Sequence, residues 1–186
     1  ESIRDGWDLS ESKNFWWEKP AKQWSPIRAA STRKPAVRAM VLYPTNALVE
    51  DQIVRLRRAI SAISSSGGAQ IWFGRYTGTA SGAVKEGKNG EIKKWSTDEH
   101  RKYSNEMIEM CSTYDEMVAQ GVDETTIAQF GDPRHGELVM RRDMYSTPPD
   151  VFVTNYSMLN VMMMRKVEEK IFTDTRDWLA SNPENV

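Results

Sequence analysis

The stretch from Arg38 to Gln52 constrains the fold of this chain more than any other. Its apolar run, Ala39 to Tyr43, has the length and continuity of a buried parallel strand. The polar loop Pro44-Thr45-Asn46 follows, and apolar side chains then recur at spacings of four and three, which predicts an amphipathic helix. We expect this helix to end within the segment Ser64 to Gly68, where a glycine can adopt the left-handed cap conformation. Its apolar stripe consists of Val49, Ile53, Leu56, Ile60 and Ile63.

Two further apolar runs end on polar loops in the same way. Ala69 to Tyr76 predicts a second buried strand, and Val151 to Val153 predicts a third. The carboxyl ends of parallel strands open on one edge of a sheet, so we expect the three polar tips to lie together there. The second and third tips comprise Arg75, Thr77 and Gly78, and Thr154, Asn155 and Tyr156.

The predicted fold class is therefore α/β, with a parallel sheet flanked by helices. Ser96 to Glu99 matches a capping box and starts a helix with a Met and Tyr stripe, which predicts a helical insertion over about residues 80–147. We expect the loop from Thr79 to Trp95 to be exposed. Val167 to Leu179 predicts the last helix, which stops at Ser181-Asn182-Pro183.

Composition limits the classes of function that remain open. The chain has 186 residues, enough for one domain with a real core, and a net charge of −1. A polyanion must therefore be held by a local site and not by a general positive field. The single cysteine, Cys111, excludes an internal disulfide framework and a cysteine zinc site. No apolar run is long enough to span a bilayer, so we expect a cytoplasmic protein without membrane contact.

Residues 1–35 form a tryptophan-rich lead-in before the main domain, 36–186. Four tryptophans stand among lysines, prolines and serines without helical or strand periodicity. They could stack on nucleic-acid bases. We favour the interpretation that they cover apolar surface of the domain. They are Trp7, Trp16, Trp17 and Trp24.

The sequence contains no catalytic or metal site that we can assign. A nucleotide-hydrolysing motor needs a glycine-rich phosphate loop with a lysine followed by a hydroxyl residue. The nearest segment, Glu86 to Gly90, lacks that hydroxyl and has no strand before it. Asp98-Glu99-His100 falls in the capping box, where carboxylates stabilise the start of a helix. We interpret His135, near Asp132, as a turn residue and not as a metal ligand.

The three tips are better suited to binding a phosphate backbone. Short hydroxyl and amide side chains, together with backbone N–H groups at helix starts, bind phosphate oxygens without reading base sequence. Thr and Asn at these positions could instead cap the helices that follow, and for Asn46 and Thr154 both roles are compatible.

In order, the tips resemble three motifs of superfamily-2 DEAD/DEAH-box helicases. Y-P-T-N-A-L-V-E-D-Q resembles motif Ia, G-R-Y-T-G resembles motif Ib, and P-P-D-V-F-V-T-N-Y-S-M-L resembles motif Ic. These forms are typical of the large helicases of bacterial anti-phage defence systems such as DISARM. The resemblance extends from Arg38 to about Leu179 and implies part of a first RecA-like lobe.

The resemblance also implies that these motifs grip the backbone of one DNA strand during ATP-driven translocation. Asn46 departs from the family, in which arginine is common at that position. The phosphate loop and the acidic magnesium motif are absent, which implies a piece of the lobe between the two, with ATP and Mg²⁺ belonging to the complete helicase. The implied DNA-contacting residues are Pro44, Thr45, Asn46, Gln52, Arg75, Thr77, Gly78, Thr154, Asn155 and Tyr156.

We therefore predict the DNA-backbone-binding part of a defence helicase or translocase. Its expected partners are DNA, the remainder of the same polypeptide and other subunits of the defence system. Missing central strands would leave open sheet edges, so we expect the chain to be ordered only with that remainder. The alternative is a non-catalytic interaction module on a motor-like α/β core that holds a protein partner with its tryptophan-rich lead-in.

Overall fold

The computed structural model of the chain describes residues 12–18, 24–30 and 33–183. Its centre is a three-stranded parallel sheet flanked by helices, which confirms the predicted α/β class. The sheet strands are β3 (Ala39–Tyr43), β4 (Phe73–Tyr76) and β5 (Val151–Asn155), in the spatial order β3-β5-β4. The last strand in sequence thus lies between the other two. Its buried residue Phe152 belongs to one hydrophobic core cluster and its buried residue Val153 belongs to the other.

Helices and short elements complete the described architecture. A two-stranded antiparallel pair, β1 (Ser12–Lys13) and β2 (Arg28–Ala30), belongs to the lead-in. Short 3₁₀ turns lie at Pro133–His135 and Lys166–Glu168. Within the described residues, no helix combines the length and apolar character that crossing a membrane requires. The helices are α1 (Asn46–Ser65), α2 (Thr97–Ala119), α3 (Glu124–Ile127), α4 (Arg141–Ser146), α5 (Tyr156–Met164) and α6 (Glu169–Ser181).

Helix α1 follows β3 and packs on the sheet through its predicted stripe. Val49, Ile53 and Ile60 are buried against Phe73 and Val153, and the partly buried Leu56 packs beside them. The helix ends at Ser65, and Gly67 after it has φ +75°, as expected for a glycine that follows a helix.

Two residues of α1 differ from the predicted pattern. Ile63 is 38% exposed, because it lies in the last turn, beyond the part of the helix that packs on the sheet. Arg57 lies off the apolar stripe and would be expected in water, but it makes two hydrogen bonds of 2.7 Å to the buried carboxylate of Glu137. A buried carboxylate needs such a partner, and the periodicity of α1 contains no information about a residue 80 positions away.

Segment boundaries in the second and third strands also differ from prediction. Strand β4 begins at Phe73 and not at Ala69, because the Trp72 N–H binds the Asp150 carboxylate at 2.9 Å, outside the strand ladder. Strand β5 continues past Val153 to Asn155, because Thr154 and Asn155 still pair with neighbouring strands.

The loop from Thr79 to Trp95 is not the fully exposed segment that its composition predicts. Ala80 and Val84 are buried, and Gly82, with φ +64°, lies directly against the Met140 side chain. An added Cβ at Gly82 would come within 2.8 Å of Met140, so the glycine permits this close approach.

Helix α2 begins with the predicted capping box. Ser96 accepts a hydrogen bond from the Glu99 N–H, and the Glu99 carboxylate accepts one from the Ser96 N–H. This confirms that the acidic residues of the Asp98-Glu99-His100 segment stabilise a helix start. Met107 and Cys111 of α2 are buried in the core cluster.

The described part of the lead-in is anchored on the domain by aromatic side chains. Trp16 is 1% exposed and Trp17 is 4% exposed. The Trp16 ring lies 5.6 Å from the Trp95 ring and 5.3 Å from that of His100. The prediction of apolar anchors is therefore confirmed for Trp16 and Trp17, while Trp7 lies outside the described residues.

Arg142 and Asp143 of α4 lie next to residues of the lead-in. The Arg142 guanidinium lies 4.7 Å from the Trp24 ring centre and 4.8 Å from that of Trp95. Asp143 is fully buried, and desolvation raises the pKa of its carboxyl to about 7. The neighbouring Ile27 amide, Trp24 indole and Arg142 guanidinium offset only part of that desolvation.

Asp150 joins the lead-in to the sheet. Its carboxylate lies 2.7 Å from Arg33, 2.6 Å from Arg38 and 3.8 Å from Arg28, and the aspartate is almost fully buried. Burial raises the pKa of Asp150, although the arginines and the Trp72 amide favour its charged form. One carboxylate thus connects segments that are far apart in sequence.

Replacing Trp16 by alanine is expected to lower the free energy of unfolding by about 3–5 kcal/mol, because a large buried side chain leaves a cavity. Urea unfolding followed by circular dichroism measures the change. The control is Met164→Ala at a side chain that is 87% exposed, with an expected change below about 0.5 kcal/mol. Equal stability of the two variants would contradict the anchoring role.

We expect the buried Asp143 to make the stability of the folded chain depend on pH. Its folded-state pKa, about 7, is above its unfolded value, so the folded state binds more protons between about pH 4 and pH 7. The contribution of Asp143 to the free energy of unfolding is therefore expected to fall as the pH rises from about 4 to about 7. Asp143→Asn removes the dependence, and the difference between the unfolding curves of variant and parent at pH 4.5 and pH 7.5 measures it. If the variant and the parent differed in free energy of unfolding by the same amount at both pH values, Asp143 would not be the source of the pH dependence.

Candidate functional site

The carboxyl ends of the three parallel strands meet at one edge of the sheet. Tyr43 of β3 pairs with Asn155 of β5, and Tyr76 of β4 pairs with Thr154. The three polar tips that follow these strands therefore open on the same side of the sheet. We call this region the carboxyl edge; it comprises Pro44, Thr45, Asn46, Thr77, Gly78, Thr154, Asn155 and Tyr156.

The first tip connects β3 to α1 and is open to solvent. Pro44, Thr45 and Asn46 are all exposed. Thr45 is the N-cap of α1, and its hydroxyl accepts a long hydrogen bond of 3.5 Å from the Leu48 N–H. Gln52, one turn further, accepts a 3.0 Å hydrogen bond from the Tyr43 hydroxyl. Gln52 thus supports the end of β3 from the helix.

The first and third tips are joined by a direct side-chain contact. The Asn155 amide donates a short hydrogen bond to the Asn46 side-chain oxygen. The Asn155 side-chain oxygen accepts a second hydrogen bond of 2.7 Å from the Met158 N–H and so caps α5. The capping residues are therefore Thr45 for α1 and Asn155 for α5. The sequence also allowed Asn46 and Thr154 as caps, and each lies one position away from the observed cap.

The hydroxyls of the second and third tips are used inside the protein. Thr154 is fully buried and donates a 2.6 Å hydrogen bond to the Tyr76 carbonyl. Thr77 is also buried, and its hydroxyl lies 3.1 Å from that of Thr79. Gly78 is exposed, and a side chain at its position would meet nothing within 4 Å. Of this pair of tips, Gly78 and the 56% exposed Tyr156 face solvent.

Arg75 lies apart from the exposed tips. Its guanidinium forms an ion pair with Glu50 of α1, and both side chains are partly exposed. The arginine thus neutralises a carboxylate of the second turn of α1. It does not extend freely into solvent at the carboxyl edge.

Helix starts supply the positive potential at the carboxyl edge. Helices α1 and α5 both begin there, and neither has an acidic residue in its first turn. The first N–H groups of a helix have no partner within the helix and carry a partial positive charge. The edge can therefore favour an anion through backbone N–H groups, with neutral polar side chains around them.

A buried polar network supports the end of β4, and the sequence gives no signal for it. The Tyr76 hydroxyl donates a 2.9 Å hydrogen bond to Glu168, which also lies 2.9 Å from Arg165. Burial is the main cause that raises the pKa values of both Tyr76 and Glu168. Tyr76 and Glu168 stand 92 positions apart, so no local pattern connects them.

Within the described ranges, no cluster of three or more His, Cys, Asp or Glu side chains is arranged to hold a metal ion. His135 is exposed and lies 3.0 Å from the buried Asp132. Desolvation opposes ionisation of Asp132, but hydrogen bonds from His135 and Arg134 lower its pKa to about 2. This pair stabilises the turn at residues 133–135.

Comparison with known proteins identifies one informative similarity. The chain is similar to Druantia protein DruE of Escherichia coli (strain UMEA 4076-1), with 29% identity over 201 aligned residues. The match includes 87% of this chain but only 11% of the relative, so the chain spans about a ninth of that protein's length. No protein-family profile matches the chain. No solved structure matches it either.

We expect the hydrogen bond between Asn155 and Asn46 to stabilise the folded chain measurably. Asn155→Ala removes both the cap of α5 and the donor to Asn46, and we expect a loss of about 1–2 kcal/mol in the free energy of unfolding. Asn155→Asp keeps the capping oxygen and replaces the donor by a carboxylate oxygen, whose charge the start of α5 favours, so its effect should be smaller. Chemical denaturation of both variants tests this order, and the reverse order would contradict the assigned cap.

Proposed function

We propose that this chain is the DNA-backbone-gripping part of an ATP-dependent helicase or translocase of superfamily 2 that acts in phage defence. The observation that carries the proposal is the convergence of its three motif-like tips on one edge of a parallel sheet. Similarity to a Druantia protein supports the role in phage defence.

In this proposal the carboxyl edge holds one DNA strand through its phosphates. Backbone N–H groups at the starts of α1 and α5 would bind phosphate oxygens, with the exposed Thr45 and Asn46 side chains beside them. The exposed Tyr156 ring offers a surface on which a base can stack. All of these groups bind without selecting a base, as a motor that moves along DNA requires.

The remaining residues implied by the helicase resemblance would act indirectly. Thr154 and Thr77 have their hydroxyls engaged inside the protein, and Asn155 orients Asn46. Gln52 supports Tyr43 at the end of β3. We propose that these residues fix the shape of the edge, so that the exposed groups are already in position when DNA arrives.

The chemical step of the motor would be supplied elsewhere. No phosphate-binding loop or acidic magnesium motif stands in this sequence. We therefore assign ATP and Mg²⁺ to the complete helicase. The proposed partners are DNA, the remainder of the same polypeptide and further defence subunits, all in the cytoplasm. The alternative of a protein-binding module has less support, because Trp16 and Trp17 of its supposed binding surface are buried.

Gly78 allows a direct test of DNA binding at the carboxyl edge. Gly78→Asp adds a negative charge where a side chain meets open space, and its backbone is not in the left-handed region. We expect about fivefold weaker binding of a fluorescein-labelled single-stranded oligonucleotide at low salt, because the new carboxylate repels phosphate. Fluorescence anisotropy over a salt series measures the affinity.

Two matched variants separate charge from other effects. Gly78→Asn adds a side chain of the same size without charge and should bind like the parent. Ser61→Asp adds the same charge to an exposed position of α1, about 22 Å along the helix from Asn46, and should have little effect. If all three variants bind DNA equally well, or if binding of the parent does not depend on salt, the proposed site is wrong.

A further inference from the structure

A second concave surface lies between α1 and α2, and it has a different character from the carboxyl edge. Its cavity measures about 620 Å³. One wall is a face of α1 that includes Asp51 and Val54, and the other is a face of α2 that includes Glu106, Glu109 and Met110. We call it the α1–α2 groove; the segment from Gln129 to Gly131 lines it as well.

Carboxylates dominate the groove, and part of their charge is uncompensated. Glu137 is paired with Arg57, and Glu50 is paired with Arg75. Glu106 accepts a 2.8 Å hydrogen bond from the Ser81 hydroxyl, which is neutral. Across the ranges that the structure describes, neither Glu106 nor Glu109 has a cationic partner. These two carboxylates, three positions apart on α2, leave the groove with a net negative charge.

Apolar side chains line the same groove. Val54, Met110 and Val139 contribute apolar surface, and Phe130 lies in the lining with 41% of its surface exposed. Large exposed aromatic side chains beside a concave surface are typical of protein interaction sites. The groove therefore combines apolar contact surface with two adjacent negative charges.

We propose that the α1–α2 groove is a docking site for a basic amphipathic helix of a partner protein. The partner's apolar side chains would pack against Val54, Met110 and Phe130, and its lysine or arginine side chains would pair with Glu106 and Glu109. Charge complementarity selects this occupant, because the uncompensated carboxylates repel the phosphates of a nucleic acid. The apolar walls favour an amphipathic segment over a small hydrophilic cation. This interaction is separate from the proposed grip on DNA.

A designed peptide serves as the probe. We use a 14-residue helical peptide of leucine and lysine with all lysines on one face, labelled for fluorescence anisotropy. The parent chain is expected to bind it, and the double variant Glu106→Gln/Glu109→Gln should bind about fivefold to tenfold more weakly. Glutamine at position 106 can still accept the Ser81 hydrogen bond. Phe130→Ala should weaken binding as well, because it removes apolar contact surface.

Matched controls distinguish docking from general attraction to an acidic protein. Glu116→Gln/Glu169→Gln removes two exposed carboxylates outside the groove and should bind the peptide like the parent. A peptide of the same composition with its leucines and lysines scrambled should bind at least about fivefold more weakly, since it lacks a continuous apolar face. Equal binding by both double variants, equal binding of the scrambled peptide, or displacement of the peptide by equimolar spermine would overturn the proposal.

Discussion

The arrangement of this protein depends on the buried carboxylate of Asp150. It stands immediately before the central strand β5 and interacts with Arg33 of the lead-in, Arg38 before β3 and the Trp72 amide before β4. Removing such a carboxylate would take its negative charge away from the buried arginines, a large cost in a medium of low polarity. The strands are thus fixed at their starts by one ionic cluster. The lead-in is part of that cluster and belongs structurally to the domain.

Fixing the starts of the strands also determines where they end. Strands β3 and β4 pair with β5 in parallel register from Val151 onward, so their last residues lie opposite the adjacent residues Asn155 and Thr154. Asn155 then connects the third tip to the first through Asn46. The carboxyl edge is consequently a pre-formed surface whose shape follows from strand register and one amide contact. A pre-formed surface loses little conformational entropy when a ligand binds.

Local signals in the sequence predict the elements of this fold well, and long-range contacts explain what they miss. The ends of β3, the stripe of α1 from Val49 to Ile60 and the capping box of α2 depend on neighbouring residues, and all three are confirmed. The start of β4 is misplaced because a carboxylate 78 positions away binds the Trp72 amide. Sequence patterns do not predict the acidic α1–α2 groove, because it exists only when two distant helices face each other. Taken alone, the sequence pattern of α1 or of α2 indicates only a polar helix face in contact with solvent.

The carboxyl edge and the α1–α2 groove have opposite electrostatic character, although α1 contributes to both. Its first turn carries no acidic residue and its N–H groups face the edge, whereas Glu50 and Asp51 of the next turn face the groove. Arg75 and Glu50 both line the groove and form an ion pair with each other. Glu50 is one helical turn from Asn46, so by neutralising it Arg75 would reduce the repulsion of a phosphate bound at the edge. Under the proposed function, Arg75 would therefore act on the DNA strand through the glutamate that it neutralises, and not by direct contact with a phosphate.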